Sequence, residues 1–132
     1  MHQSSLRSRL ESKRFDSLHM QYLLALADLE NGEELLVDMI NIYLETAREF
    51  LELATHFAHE SNKPMFLQTV RQLGEGSERL GARRLTRMAQ ELTYTKDGFP
   101  ILTALDSVTN EFVRVVIDLK ELLLELEATT TV

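Results

Sequence analysis

The fold can be inferred outward from residues 63–87, KPMFLQTVRQLGEGSERLGARRLTR. Pro64 predicts the start of a helix, because proline is tolerated in the first helical turn. The inward face of this helix is predicted from side chains at helical spacing: Phe66, Leu67, Val70, Leu73, Ser77 and Leu80. Gly81 and Ala82 then predict a break, and a second, arginine-rich helix follows at once with Leu85, Met88, Ala89 and Leu92.

Apolar residues at steps of three and four predict three further helices. A short first helix runs to about Leu29 and starts at Asp16 or Ser17, whose side chains can cap it. A long helix covers Glu33 to His59, and the last helix begins at Pro100, after a loop at 93–98. We therefore predict an all-α fold: an antiparallel four-helix bundle with a short additional N-terminal helix.

Composition limits the domain organisation and the cellular setting. The chain has 132 residues and no cysteine, which excludes disulfides and thiolate chemistry. No apolar run is long enough to span a membrane, so we expect a cytoplasmic protein. Residues 1–14 are predicted to be a flexible basic arm, residues 15–127 the bundle, and residues 128–132 a frayed tail.

The net charge of −7 is unevenly distributed. Between Arg71 and Arg87, five arginines stand against Glu75 and Glu78, a local charge of +3. An acidic chain is not expected to bind nucleic acid, which requires neutralisation of phosphates. A basic patch on such a chain favours an acidic protein partner. The alternative is that the arginines only solvate a helix surface.

No active site can be recognised from the residue types alone. His56 and His59 have the spacing of a helical metal pair, but no third ligand is evident, so we predict neither a metal nor a cofactor. The glycines at 74, 76 and 81 lack the strand and the lysine of a phosphate-binding loop. Gly74 is predicted on the exposed face of its helix, where a partner could approach the backbone.

From Phe15 to about Leu126 the chain resembles the histidine-containing phosphotransfer domains of two-component phosphorelays. The resemblance includes Phe15-Asp16, the acidic start of the long helix at Glu33-Glu34, and the segment Tyr43–Ala47. Its most specific part is the hinge Leu80-Gly81-Ala82-Arg83-Arg84-Leu85, followed by Ala89-Gln90-Glu91-Leu92. The resemblance implies a four-helix scaffold whose third helix and its neighbour meet the acidic pocket of a receiver domain.

The family pattern is His-x-Leu-Lys-Gly-Ser, with the phosphorylated histidine ten residues before the hinge glycine. Counting back from Gly81 places Arg71 at that position, Gly74 at the family lysine and Glu75 at the family glycine. A guanidinium stays protonated and is not a nucleophile, so it cannot accept a phosphoryl group. Relay at the usual site is therefore predicted to be absent.

The resulting prediction is a non-catalytic adaptor that binds a receiver domain, or another signalling protein, without accepting phosphate. The predicted partner-binding residues are Arg71, Gly74, Glu75, Glu78, Arg79, Arg83, Arg84 and Arg87. One alternative is an active relay protein that uses a displaced histidine, His56 or His59. Another is a helical interaction protein unrelated to receivers. The sequence predicts no oligomeric state.

Overall fold

The computed structural model describes residues 2–11, 13–94 and 99–130, and the side chains of residues 2–5, 129 and 130 are not described. Within these ranges there are six helices and no strand, so the all-α prediction is confirmed. The helices are α1 (His2–Leu10), α2 (Met20–Ala27), α3 (Gly32–His59), α4 (Lys63–Arg79), α5 (Arg83–Tyr94) and α6 (Ile101–Thr130). No helix in the described part of the chain is long and apolar enough to cross a membrane.

One hydrophobic core connects all six helices. Helix α4 packs between α3 and α5, and α6 also packs against α3 and α5. Of the two short helices, α2 contacts α3 and α1 contacts α6. The predicted inward residues of α4, from Phe66 to Ser77, are buried except for the half-buried Leu67. Asn62 caps α4 by accepting a hydrogen bond from the Met65 amide at 3.3 Å.

The N-terminal segment differs from the predicted flexible arm. Residues His2–Leu10 form α1, and Leu6 and Leu10 are buried in the core. Arg9 forms an ion pair with Glu125 at 2.7 Å, and Lys13 forms one with Glu121 at 3.0 Å. The basic residues of this segment therefore form ion pairs with acidic residues of α6, which lie more than 100 positions later in the sequence.

The start of α2 also differs from the prediction. The helix begins at Met20, and its N-cap residue, His19, makes no capping hydrogen bond through its side chain. Ser17 does not cap the helix, because its amide and hydroxyl both donate to the Asp118 carboxylate, at 3.1 and 2.6 Å. Ser17 therefore bonds to Asp118 on α6 instead of capping the helix that follows it.

The remaining predicted boundaries agree with the structure to within a few residues. Helix α5 continues to Tyr94, and residues 95–98 of the predicted loop lie outside the described residues. Helix α6 continues to Thr130, so residues 128–130 of the predicted frayed tail are helical, while residues 131 and 132 are not described.

The prediction that Gly74 is exposed was wrong. Gly74 is buried where α4 meets α5, and a Cβ added to it would lie 2.6 Å from the Ala89 Cβ. Gly76, two residues later, is half-buried, and its Cβ would lie 3.8 Å from the ring of Tyr43, an ordinary contact distance. Gly74 is therefore required for the close packing of α4 on α5, and Gly76 is not.

These two glycines give a matched pair of substitutions. We expect Gly74→Ala to destabilise the protein by about 1–3 kcal/mol, because the added methyl group overpacks the contact of Gly74 with the Ala89 methyl group. Gly76→Ala should stabilise it by up to about 1 kcal/mol through helix propensity. Urea denaturation measures both free energies of unfolding. Equal effects of the two substitutions would contradict the packing at Gly74.

A buried hydroxyl pair joins α3 to α4. The oxygens of Tyr43 and Ser77 are 2.7 Å apart, and the Ser77 hydroxyl donates to the Leu73 carbonyl at 2.8 Å. The Ser77 oxygen is then left to accept the Tyr43 proton. Burial raises the pKa of Tyr43 from 10.0 to about 12, because the ionised phenolate would lose its hydration.

This raised pKa makes stability depend on pH in the alkaline range. The stabilisation is fully present below pH 10 and is lost as the pH rises toward about 12, because the unfolded chain releases the proton first. Wild type should lose about 2–3 kcal/mol more over this range than Tyr43→Phe, which cannot ionise. Denaturation at a series of pH values measures the difference. Parallel pH profiles for the two proteins would contradict the burial of Tyr43.

Candidate interaction surface

The site is built around the reversal of the chain between α4 and α5. Gly81 has a positive φ of 69°, in the left-handed region that favours glycine. The Ala82 amide donates to the Ser77 carbonyl and the Gly81 amide donates to the Glu78 carbonyl, both at 3.0 Å. This bonding pattern is the Schellman motif, which satisfies the last carbonyls of α4. The predicted hinge is thus present.

A shallow groove of about 170 Å³ runs between α4 and α5, and we call it the α4–α5 groove. It is lined by Arg71, Gly74, Glu75, Glu78, Thr86, Ala89, Gln90, Thr93 and Tyr94. Arg71 is exposed, and no carboxylate among the described residues lies within ion-pair distance of it. Arg71 and Glu75, which stand four residues apart on α4, therefore form no ion pair, and the Arg71 charge is available to a partner.

A wider depression of about 620 Å³ continues from this groove toward α2, and we call it the α2–α5 depression. Glu78, Thr86 and Gln90 line both, so the two form one surface. The depression adds Arg83 and Arg87 from α5 and His19 and Tyr22 from the start of α2.

The start of α2 is held at the hinge by main-chain and side-chain bonds. The His19 amide donates to the Gly81 carbonyl at 2.8 Å, and the Tyr22 hydroxyl donates to the Arg79 carbonyl at 3.2 Å. The Arg83 guanidinium lies 2.9 Å from Nδ1 of His19, whose ring stacks on Tyr22 at 6.0 Å. A guanidinium can only donate, so the imidazole nitrogen facing it accepts.

Two of the predicted partner-binding residues lie apart from this surface. Arg79 lines a different groove, between α3 and α4. Arg84 lines a recess beside Arg83 and Arg87, but its Nη1 lies 3.4 Å from Oε1 of Glu111 on α6. The structure brings the other six predicted residues together, although Gly74 contributes only the floor of the groove.

The groove between α3 and α4 was not anticipated. It encloses about 240 Å³ and is mostly apolar, with Ile42, Tyr43 and Phe50 from α3 and Gly76 and Arg79 from α4. Ile42, at one side of this groove, is 65% exposed. We call it the α3–α4 groove.

Sequence reasoning also missed five residues of the surface whose side chains are not buried: His19, Tyr22, Gln90, Thr93 and Tyr94. Gln90 and Tyr94 follow Arg87 at steps of three and four, so helical spacing could have found them. His19 and Tyr22 carry no such signal, because bonds to residues far along the chain, Arg79, Gly81 and Arg83, bring the start of α2 to this place.

The two histidines predicted as alternative relay residues lie away from this surface. His56 and His59 are exposed at the end of α3, where His56 pairs with Glu60 at 3.0 Å. Neither lines the α4–α5 groove or the α2–α5 depression. Among the described residues, no group of three histidines or carboxylates could hold a metal ion.

Comparisons of this chain with protein-family models, with curated proteins and with solved structures find no match. The function is therefore inferred from the residues and geometry of this surface.

The distinct positions of Arg84 and Arg87 can be tested by stability. The Glu111 side chain is 4% exposed, and its Oε2 has no hydrogen-bond partner among the described residues. Arg84→Ala removes the nearer of its two cations, leaving Arg114 at 3.7 Å, and should cost about 1–2 kcal/mol. Arg87→Ala changes an arginine on the same helix that has no ion pair with another described residue. It should change the free energy of unfolding by no more than about 0.5 kcal/mol. Urea denaturation of both variants distinguishes the two roles.

Proposed function

We propose that this protein is a cytoplasmic, non-catalytic adaptor that binds the receiver domain of a response regulator without accepting phosphate. In this proposal α3, α4, α5 and α6 form an antiparallel four-helix bundle of the phosphotransfer type. The observation that carries it is the position of Arg71. This residue stands ten positions before the hinge glycine, where the resembling family has its histidine, and its exposed guanidinium lies at a groove between α4 and α5.

The chemistry of the groove supports binding over transfer. Phosphoryl relay needs a neutral nitrogen nucleophile, and a guanidinium is protonated at any physiological pH. The family lysine that assists phosphate is replaced by Gly74, which is buried against Ala89 and has no side chain to offer. Both functional groups of the relay are therefore missing from the same helix face.

The charges of the surface support an acidic protein as partner. Arg71 and Arg87 have no ion pair among the described residues, and Arg83 contacts the imidazole of His19 instead of a described carboxylate. An acidic receiver pocket complements such a surface and is steered toward it. Glu75 and Glu78 lie between these arginines and give the surface a mixed pattern that can contribute to partner choice. With a net charge of −7 over the whole chain, neither nucleic acid nor a membrane is proposed as a partner.

The binding test uses a panel of purified receiver domains, each unphosphorylated and with beryllofluoride as a phosphoryl mimic. We expect at least one receiver domain to bind the wild-type protein. Arg71→Glu should weaken that binding about tenfold or more, because it replaces a positive charge at the centre of the surface with a negative one. Arg48→Glu is the matched control, since Arg48 is an exposed arginine on α3 outside this surface. Isothermal titration calorimetry measures the three affinities.

Loss of binding in both variants would indicate a non-specific charge effect and contradict the assigned surface. If no receiver binds the folded wild-type protein, the adaptor proposal fails. The alternative of a helical interaction protein unrelated to receivers is then favoured.

A transfer test separates an adaptor from a relay protein. Wild type is incubated with a receiver carrying an aspartyl phosphate, beside a phosphotransfer domain with an intact histidine as positive control. We expect acid-labile phosphate to appear on the control and not on this chain. Acid-labile phosphate on this chain would contradict the non-catalytic proposal.

A second candidate function is phosphoryl relay through a displaced histidine. The position of His19 makes it a better candidate for the phosphoryl acceptor than His56 or His59. His19 lines the α2–α5 depression beside Arg83 and Arg87, which could stabilise a phosphoryl group. In that case wild type acquires acid-labile phosphate and His19→Gln does not. His56→Gln/His59→Gln serves as the matched control and should keep the phosphate.

A further inference from the structure

Helix α6 carries a second apolar face in addition to the one that enters the core. Its inward face, from Leu105 to Leu126, is buried. Four large apolar side chains are exposed instead: Leu102 at 51%, Val113 at 49%, Ile117 at 59% and Leu124 at 66%. At about 100° per residue these four lie within one narrow stripe, about 33 Å long from Leu102 to Leu124. We call it the outer stripe of α6.

Three polar residues complete the outer stripe. Asp106, Thr109 and Lys120 fall in the same sector of about 80° as the four apolar residues. Asp106 and Lys120 are exposed, and neither makes an ion pair with another described residue. The stripe therefore contains one unpaired negative charge and one unpaired positive charge.

The order of residues along the stripe is symmetric about Val113. Leu102 lies 11 positions before Val113 and Leu124 lies 11 positions after it. Asp106 lies seven positions before and Lys120 seven after. Thr109 and Ile117 stand four positions to either side. Every place in the stripe therefore has a counterpart, which is of the same kind for the leucines and of opposite charge for Asp106 and Lys120.

This symmetry matches a two-fold axis through Val113. When two copies of α6 lie antiparallel across such an axis, each residue faces the one equally far on the other side of Val113. Leu102 then meets Leu124 of the second copy at both ends. Asp106 meets Lys120 twice, and Val113 meets itself at the centre.

A parallel arrangement gives the opposite result for the charges. Asp106 would face Asp106 and Lys120 would face Lys120, and like charges placed together suppress an interface. Arg114, next to the axis, does not add a comparable penalty, because its Nη1 lies 3.7 Å from the Glu111 carboxylate of its own chain. The charges therefore select the antiparallel pairing.

We infer that the outer stripe of α6 binds a second copy of this chain in an antiparallel, two-fold symmetric dimer. Four large exposed apolar side chains aligned along one side of a helix favour an interaction surface. Its self-complementary order identifies the second copy as the occupant. The inference does not depend on the proposed function, because none of the residues of the α4–α5 groove or the α2–α5 depression belongs to the stripe.

The first test is the mass of the full chain by analytical ultracentrifugation, in a concentration series reaching about 1 mM. We expect a reversible shift from the mass of one chain to twice that mass. Val113→Asp places two carboxylates against each other at the axis and should raise the dimer Kd at least about tenfold. Leu35→Asp is the control, because Leu35 on α3 is equally exposed, at 49%. It should leave the Kd unchanged.

The second test is specific for the pairing. Asp106→Lys and Lys120→Asp should each weaken the dimer, since each places like charges opposite one another. The double variant should restore it, because both ion pairs form again with the signs exchanged. Salt should weaken the wild-type and double-variant dimers alike.

The third test uses the absence of cysteine in the natural chain. Val113→Cys places two thiols at the axis and should give a disulfide-linked dimer under mild oxidation, whereas Leu35→Cys should not. A chain that stays monomeric at the highest concentration overturns the inference. A dimer indifferent to Val113→Asp, or a double charge variant no better than the single ones, overturns it as well.

Discussion

At Gly81 the backbone takes a left-handed conformation, and its carbonyl accepts the amides of both His19 and Arg83, at 2.8 and 2.9 Å. The Schellman bonds at the end of α4 reverse the chain there, so that α5 returns along α4, and the bond from His19 holds the start of α2 beside the reversal. A residue with a Cβ at this position would have a strained backbone, and its Cβ would lie only 3.1 Å from the Cβ of His19. The α4–α5 groove and the α2–α5 depression both exist because this turn is fixed.

The close contact of Gly74 with Ala89 has two consequences for the same surface. It lets α5 approach α4 closely, which makes the groove shallow. It also means that position 74, where the resembling family has a lysine, is occupied by a residue that serves helix packing. A longer side chain at 74 could not be buried there without displacing α5. The packing and the missing phosphate-binding group are therefore two results of one residue, and both favour a surface that binds protein over one that transfers phosphate.

Much of the fold could be predicted because apolar spacing reports directly on burial, as in α3, α4 and α6. The burial of Gly74 was also available in principle, since it lies four residues after Val70 and three before Ser77, in the stripe that faces inward. Glycine has no apolar side chain to signal this. Helix α1 and the Ser17 turn could not be predicted, because their partners, Asp118, Glu121 and Glu125, lie on the distant α6.

Charge complementarity is used twice in this chain, in different ways. In the proposed function, the arginines of the α4–α5 groove and the α2–α5 depression complement an acidic partner. In the inferred dimer, one aspartate and one lysine along the outer stripe of α6 complement a second copy. The two surfaces share no residue, so the inferred dimer would present two copies of the proposed receiver-binding surface. Such a dimer would bind a dimeric response regulator bivalently where the spacing of the sites allows it, and the second contact would then form at a high effective concentration. A weak individual contact, typical of signalling encounters, would then be sufficient for stable binding.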